Sequence, residues 1–262
     1  MKWICRIILP VLFSFLLPGC PGHEEDTSYF DQAEYYFSRG QFSQAGTLYR
    51  QYIDTGHDSK RYEAWNRLFS IRVDIYGDVQ GGLDILKAMQ MEFDEKKDRV
   101  LDINVRIAGL YDRLGQPRDS YRVWKKNREL ADSVSDKKEA ALNMSRAAAK
   151  LREFGRVRDA LQEFRDCVGE IDADLCSRIH YTLGKSYYLE TDLVLARESL
   201  TKAYSRDAQN EYRSRAGLLL VEVLLDLDEI DQARAILKEL LDIHPNPGAI
   251  EVRLNNLTFI ED

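Results

Sequence analysis

The sequence predicts an all-α protein: a right-handed superhelix of about six helical hairpins, closed by a C-terminal capping helix. One spacing of small residues recurs along most of the chain every 36–40 positions, and an internal period of this length is typical of stacked helical units. A residue suited to a turn lies between the small residues of each unit. The composition, with 44% hydrophobic and 31% charged residues, is that of a folded chain and excludes a disordered one.

Residues 1–19 are predicted to be a signal peptide. Lys2 and Arg6 supply a short basic start, and an apolar run extends from Ile7 to Leu17. This run is too short to cross a bilayer as a helix, but it suits a secretory signal. The alternative is a buried N-terminal helix, and the prolines at positions 10 and 18 argue against it.

The signal peptide ends in Leu17-Pro18-Gly19-Cys20, with a small residue directly before a cysteine. This segment resembles the lipobox of bacterial lipoproteins. The resemblance implies that Cys20 is lipidated and becomes the new N-terminus, with residues 20–28 as a tether. Because Pro21 and not aspartate follows the cysteine, we expect a lipid anchor on the periplasmic side, in the outer rather than the inner membrane.

The repeat is defined by four columns of residues. The small residues of the first helices are Ala33, Ser70, Ala108, Ala148, Gly184 and Val221, and twelve positions later come Ala45, Gly82, Ser120, Ala160, Ala196 and Ala233. Seven positions after the first column, turns are predicted at Gly40, Gly77, Gly115, Gly155, Thr191 and Asp228. Four positions after the second column stand the large residues Tyr49, Leu86, Trp124, Phe164, Leu200 and Leu237. Small residues let two antiparallel helices approach closely, and glycine suits the left-handed conformation that ends the first helix.

This pattern resembles the tetratricopeptide repeat, which has small residues at its eighth and twentieth positions and a large one at its twenty-fourth. The resemblance covers residues 28 to 247 and implies a solenoid domain over residues 29–262. Its predicted units are 28–57, 60–92, 98–131, 136–170, 174–206 and 210–247. Residues 248–262 are predicted to form the cap that a terminal repeat needs over its apolar face.

No catalytic motif is found in the sequence. It contains no P-loop, no GxGxxG and no GxSxG, and the four histidines lack the spacing of metal ligands. We therefore expect a protein that is not an enzyme, with no cofactor, no metal and no small-molecule substrate. The net charge of −7 argues against nucleic acid as a partner, since that requires a clustered basic surface.

Cys167 and Cys176, nine residues apart, bracket the connection between the fourth and fifth units. In an oxidising compartment they could form a disulfide. The alternative is a buried thiol at Cys167, with Cys176 unrelated to it.

In tetratricopeptide stacks, partners usually lie on the concave face formed by the first helices. Assigning that face by helical geometry gives a basic, tyrosine-bearing surface formed by Arg106, Arg113, Arg152, Arg178, Tyr181, Lys185, Tyr188 and Arg215. We expect it to hold an acidic or C-terminal peptide segment of another envelope protein. The alternative is that these charges pair with Asp102, Asp112, Glu153 and Glu222 on neighbouring helices.

The combination of lipobox and helical repeats is similar to outer-membrane assembly lipoproteins of the BamD type, with Ser28–Gly56 and His180–Ala203 as the most similar segments. The resemblance implies a non-enzymatic protein–protein interaction scaffold of the cell envelope, in outer-membrane protein, secretion or pilus complex assembly. A lipoprotein that docks on a peptidoglycan synthase or hydrolase and regulates it is the alternative.

Overall fold

The computed structural model describes residues 24–56, 59–167, 173–204 and 211–258. Every regular element within these ranges is helical, so the predicted all-α class is confirmed. None of the helices in this part of the chain is long and apolar enough to cross a membrane. The predicted signal peptide (1–19) and the lipidation site Cys20 lie outside the described residues.

The chain divides into two compact units, Met1–Ile75 and Tyr76–Asp262. The first unit contains α1 (Glu24–Ser38), α2 (Phe42–Asp54) and α3 (Arg61–Ser70). The division falls directly after Ile71–Ile75, which continues α3 as a π-helical turn. Helices α1 and α2 form the first predicted hairpin.

The core of the first unit is aromatic. Phe30 packs edge-to-face on Tyr49 and Tyr52, with ring centroids 5.8 and 5.4 Å apart. The Tyr49 hydroxyl donates to Glu34 Oε1 at 2.5 Å, and Arg67 donates to both oxygens of the same carboxylate at 2.8 and 3.0 Å. Burial, together with Glu34, raises the pKa of Tyr49. One carboxylate on α1 therefore fixes α2 and α3 in place.

The second unit contains the remaining ten helices of the described chain. They are α4 (Val79–Glu92), α5 (Lys97–Arg113), α6 (Pro117–Leu130), α7 (Val134–Lys150), α8 (Phe154–Leu161), α9 (Ala173–Tyr188), α10 (Leu193–Ala203), α11 (Glu211–Asp226), α12 (Ile230–Ile243) and α13 (Pro247–Thr258). A 3-10 turn, Gln162–Phe164, extends α8. Helices α5–α6, α7–α8, α9–α10 and α11–α12 pack as hairpins, and α13 packs on α12 as the cap. The predicted pairing of α3 with α4 spans the division between the two units.

Small residues bring paired helices together as predicted. A Cβ added to Gly184 on α9 would lie 2.6 Å from Leu200 Cγ on α10, so only glycine fits at this crossing. The large residues Leu200 and Leu237 are fully buried beside such contacts. The capping helix covers the end of this core with Ile250 and Leu257, which are 1% and 5% exposed.

The turn of the fourth hairpin differs from the prediction. Left-handed residues end the first helices at Gly40, Gly77, Gly115, Thr191 and Asp228, as expected, but the fourth hairpin turns at Arg152 (φ 58°). Gly155, which was predicted to form this turn, lies inside α8. The hydrogen bonds agree with this register, since Glu153 N–H donates to Ala148 O at 3.0 Å just as Gln116 N–H donates to Tyr111 O at 2.8 Å.

The predicted register of the fourth unit was therefore wrong by three residues. The residues that occupy its columns are Ser145, Arg152, Val157 and Leu161, not Ala148, Gly155, Ala160 and Phe164. The error has a physical cause: Ala147 and Ala148 are buried along with Ser145, so the end of α7 offers several small residues and size alone does not select one.

Candidate functional site

A groove opens between α7, α9 and α11 of the second unit, with the start of α8 at one side. Its volume is about 740 Å³, part of it open to solvent. We call it the basic groove, because its polar lining includes Arg146, Arg178, Lys185 and Arg215 together with Tyr181 and Tyr212. The remaining wall is largely apolar and includes Leu142, Phe154 and Leu189.

Arg178 is the most firmly held of the four cations. It donates to both oxygens of Glu139 on α7, at 2.6 and 3.2 Å, and its side chain is 17% exposed. Burial acts to lower the pKa of Arg178, but the hydrogen bonds to Glu139 raise it above its usual value. Two parallel bonds between planar groups fix the orientation of the guanidinium, so Arg178 is a rigid part of the wall.

Two tyrosines form the aromatic part of the lining. The rings of Tyr181 and Tyr212 meet edge-to-face with centroids 5.7 Å apart. The guanidinium carbons of Arg178 and Arg215 lie 5.8 and 5.6 Å from the Tyr212 ring centroid. Burial raises the pKa of Tyr181 although Arg215 opposes the rise, so this hydroxyl keeps its proton and can donate a hydrogen bond at neutral pH.

Arg146 and Lys185 bring positive charge that is not balanced nearby. Arg146 donates to Asn143 Oδ1 at 3.0 Å and to the Tyr212 hydroxyl at 3.5 Å, and both of these groups are neutral. Lys185 is exposed and forms no ion pair with the described residues. Arg215 pairs with Glu211 one turn earlier on α11. No acidic residue lines the groove in the described part of the chain.

Four of the eight residues predicted for the partner surface meet in this groove: Arg178, Tyr181, Lys185 and Arg215. The other four do not line it. Arg106 pairs with Asp102 at 3.7 Å on its own helix α5, and Arg113 is exposed at the end of that helix. Burial raises the pKa of Tyr188, and a hydrogen bond to the Asp226 carboxylate adds to this.

Arg152 was predicted to lie on the helical face, but it occupies the turn after α7. The cause is again the register of the fourth unit. With the register shifted by three, the face positions of α7 fall on Glu139, Leu142, Arg146, Ala149 and Lys150, and the groove is lined by three of them, Leu142, Arg146 and Ala149. Ala149 therefore takes the position predicted for Arg152, and Arg146 takes the position predicted for Ala149. Tyr212, also missed, lies three residues before Arg215 and so shares its face of α11.

The alternative prediction, that these charges pair with Asp102, Asp112, Glu153 and Glu222, holds for Asp102, which pairs with Arg106. The other three acids pair with cations that were not predicted for this surface. Lys150 pairs with Asp112 at 2.8 Å, and Arg156 pairs with Glu153 at 2.7 Å. Glu222 pairs with Arg253 of the capping helix. None of these cations lines the basic groove, and Arg146 and Lys185 have no acidic partner among the described residues.

Cys167 and Cys176 are joined as a disulfide in the structure, with Cα atoms 5.8 Å apart. The bridge ties the end of the fourth hairpin to α9, across residues 168–172, which are not described. His180 packs beside it with Nε2 3.2 Å from the Cys167 carbonyl oxygen, and burial lowers the pKa of His180. In the described residues no group of histidine, cysteine or acidic side chains is arranged to hold a metal.

The comparisons with known proteins agree with the fold. The family described as tetratricopeptide repeat matches residues 187–251, which include the end of α9, the three helices α10, α11 and α12, and part of the capping helix α13. No curated protein matches this chain significantly.

Several solved structures have similar folds. BtubC (BKLC) from P. vanneervenii is 17% identical, with a TM-score of 0.56 over 88% of this chain and 90% of its own. MamA from Desulfovibrio magneticus RS-1 is 17% identical, with a TM-score of 0.53 over 71% of this chain and 96% of its own. TPR-like repeats of a protein assigned as a Podosopora anserina kinesin light chain are 14% identical, with a TM-score of 0.55 over 74% and 100%. At these identities the likeness establishes a tetratricopeptide-type fold and leaves function to the site.

Proposed function

We propose that this chain is a non-enzymatic scaffold of the bacterial cell envelope that is anchored by lipid on Cys20 and holds a partner protein in the basic groove. The partner supplies a segment that carries carboxylates, either acidic side chains or a free C-terminus. The observation that carries the proposal is the sign of the lining charge. Four cations from α7, α9 and α11 meet there, and no acidic residue lines the same groove in the described chain.

The geometry of the cations suits a carboxylate ligand. Both terminal guanidinium nitrogens of Arg178 already donate hydrogen bonds to Glu139, so Arg178 holds a positive charge at a fixed place in the wall. Arg146 and Arg215 keep guanidinium groups at the surface of the groove, and a guanidinium can bind a carboxylate through two parallel hydrogen bonds. The exposed Lys185 adds a mobile ammonium. A segment with two or more carboxylates would use these groups together.

The aromatic pair adds contact area at little entropic cost. Tyr181 and Tyr212 are held by their ring contact and have few rotatable bonds, a property that makes tyrosine frequent at the centres of interfaces. Both lie on helices packed into one core, so the site is formed before the partner arrives. Such a preformed site loses less conformational entropy on binding than a loop would.

The proposed location rests on the N-terminal segment. A lipid on Cys20 and a short tether would hold the helical units at the periplasmic face of a membrane, and the outer membrane is favoured by Pro21. A disulfide between Cys167 and Cys176 agrees with an oxidising compartment, where such bonds persist. The proposed role is in the assembly of outer-membrane proteins or of secretion or pilus complexes.

A site-specific photo-crosslinker tests the groove in cells. Placed at Lys185, it should capture one envelope protein, and mass spectrometry should map the link to an acidic segment. Placed at Arg113, which is also exposed but lies outside the groove, it should not capture that protein. Equal capture from both positions, or a linked segment without carboxylates, would contradict the proposal. The identity of the captured protein also separates an assembly complex from a peptidoglycan synthase or hydrolase.

Charge reversal measures how much the groove contributes. With the captured partner in hand, Arg146→Glu combined with Lys185→Glu should weaken its binding by about tenfold or more, because each reversal replaces attraction by repulsion. Arg113→Glu is the matched control and should leave binding unchanged. Circular dichroism should show the same helicity in all variants, since neither groove residue contributes an ion pair to the described fold.

The anchor has its own test. Cys20→Ser removes the only thiol that the lipobox offers, so the protein should move from the membrane fraction to the soluble periplasmic fraction. An unchanged membrane fraction would show that Cys20 is not the anchor, and it would leave the groove proposal standing.

A further inference from the structure

A second groove lies beside the first, between α5, α6 and α7, with a volume of about 640 Å³. We call it the acidic groove, because Asp102, Asp136 and Glu139 line it and no basic residue does so in the described chain. The charged side chains that line it are therefore opposite in sign to those that line the basic groove. Both grooves belong to the second unit.

The acidic groove is a shaped site and not only a group of carboxylates. Trp124 and Val105 line it, and Val105 is 44% exposed, so the groove has an apolar wall. Asn127 also lines it; this residue is 4% exposed, and its Oδ1 has no hydrogen-bond partner among the described residues. Aromatic and aliphatic surface next to carboxylates is the environment that suits a lysine or arginine side chain, with its apolar stem and charged head.

The two grooves meet along α7. Asn143 lines the acidic groove and accepts a hydrogen bond from Arg146 of the basic groove at 3.0 Å. The Glu139–Arg178 ion pair likewise joins one lining to the other. Along α7 an acidic residue, Glu139, comes first and a basic one, Arg146, follows. The helix macrodipole does not explain this order, because its effect is confined to the terminal turns, whereas both residues lie inside Val134–Lys150.

We infer that the two grooves together recognise one bipolar segment, with a lysine or arginine in the acidic groove and carboxylates in the basic groove. This inference rests on the proposed function of the basic groove and adds a second contact that sets the register of the partner. Seven positions of α7 separate Glu139 from Arg146, a rise of roughly 10 Å. An extended chain covers that distance in about three to four residues, so the opposite charges in the partner stand about that far apart.

Synthetic peptides test the inference on the full chain purified in detergent. The bipolar probe is Arg-Lys-Ser-Gly-Ser-Asp-Glu-Phe, used in this order and in reverse because the grooves do not fix chain direction. The comparison peptide replaces the two basic residues by serine and keeps the acidic half. By fluorescence anisotropy, the bipolar probe should bind about tenfold more tightly in at least one order, and the difference should shrink at high salt as exposed charges are screened.

Matched variants test whether the tighter binding of the bipolar probe comes from the acidic groove. Asp102→Asn should weaken the bipolar probe about three- to tenfold and leave the acidic-half peptide unaffected. Asp98→Asn, at an exposed position of the same helix outside both grooves, should change neither. Lys185→Gln should weaken both peptides, because both place carboxylates in the basic groove.

The outcomes of these experiments distinguish a failure of the bipolar inference from a failure of the proposed function. If the acidic-half peptide binds as tightly as both bipolar probes and Lys185→Gln weakens it, the bipolar inference is wrong and the proposed function stands. If Asp102→Asn weakens both peptides equally, the acidic groove has no ligand of its own and the inference also fails. If no peptide binds, both proposals are overturned.

Discussion

Gly184 allows the sharpest test of the packing, because an added methyl group there has no space. Its Cβ would lie 2.6 Å from Leu200 Cγ, 2.9 Å from Leu200 Cδ2 and 3.2 Å from the Leu200 backbone nitrogen. Leu200 is fully buried, so its side chain cannot turn away, and the nearby backbone nitrogen limits the movement of α10. Gly184→Ala must therefore push α9 and α10 apart.

The expected magnitude follows from two opposing terms. Overpacking a well-filled core costs about 1–3 kcal/mol, and the upper end applies because backbone is involved. Replacing glycine by alanine within a helix gains about 1 kcal/mol. The free energy of unfolding should therefore fall by about 2 kcal/mol, which in a domain of 150–250 residues lowers Tm by roughly 4–8 °C.

Gly109→Ala is the matched control, since Gly109 lies within α5 and a Cβ there would meet nothing within 4 Å. Only the helix-propensity gain remains, so Tm should rise by roughly 2–4 °C. Thermal unfolding followed by circular dichroism at 222 nm measures both variants against the parent protein. If Gly184→Ala is as stable as Gly109→Ala, the close crossing of α9 and α10 is refuted.

Three further changes test other contacts. Burial lowers the pKa of His180, so the unfolded chain binds the proton more strongly; stability should fall as pH drops below about 6.5, and His180→Gln should reduce the difference in Tm between pH 7.5 and 5.5. Cys176→Ser opens a bridge that spans nine residues and should cost about 2–3 kcal/mol, measured by urea unfolding without reductant, and an unchanged midpoint would argue against the bridge. Asp78→Ala removes the side chain that accepts from Gly81 N–H at 2.8 Å at the start of α4 and should cost about 1 kcal/mol, while Asp78→Asn should retain most of the stability.

The hairpins could be predicted from sequence because their columns follow from simple constraints. Gly184 is small since two backbones cross there, and Gly40 and Gly115 carry positive φ angles that other residues rarely adopt. The π-helical turn Ile71–Ile75 could not be predicted, because it leaves no mark in the pattern of small and large residues. The acidic groove was missed for another reason: Asp102 appeared in the sequence only as an acid that could neutralise a neighbouring arginine, and its position beside Trp124 depends on packing.

The error in the fourth unit shows why a fold can be predicted correctly while its site is not. A shift of three residues turns a helix of 3.6 residues per turn by only about 60°, so most core positions of α7 remain apolar and the hairpin is still recognised. A ligand-facing position tolerates no such shift, because the shift removes Arg152, which lies in a turn, from the predicted face and adds Arg146, which lines the basic groove with Tyr212. The core is defined by a broad property shared by many residues, whereas the groove is defined by single charges at single positions. Turn residues with positive φ are therefore the better reference for register, since Arg152 fixes the fourth unit as firmly as Gly115 fixes the third.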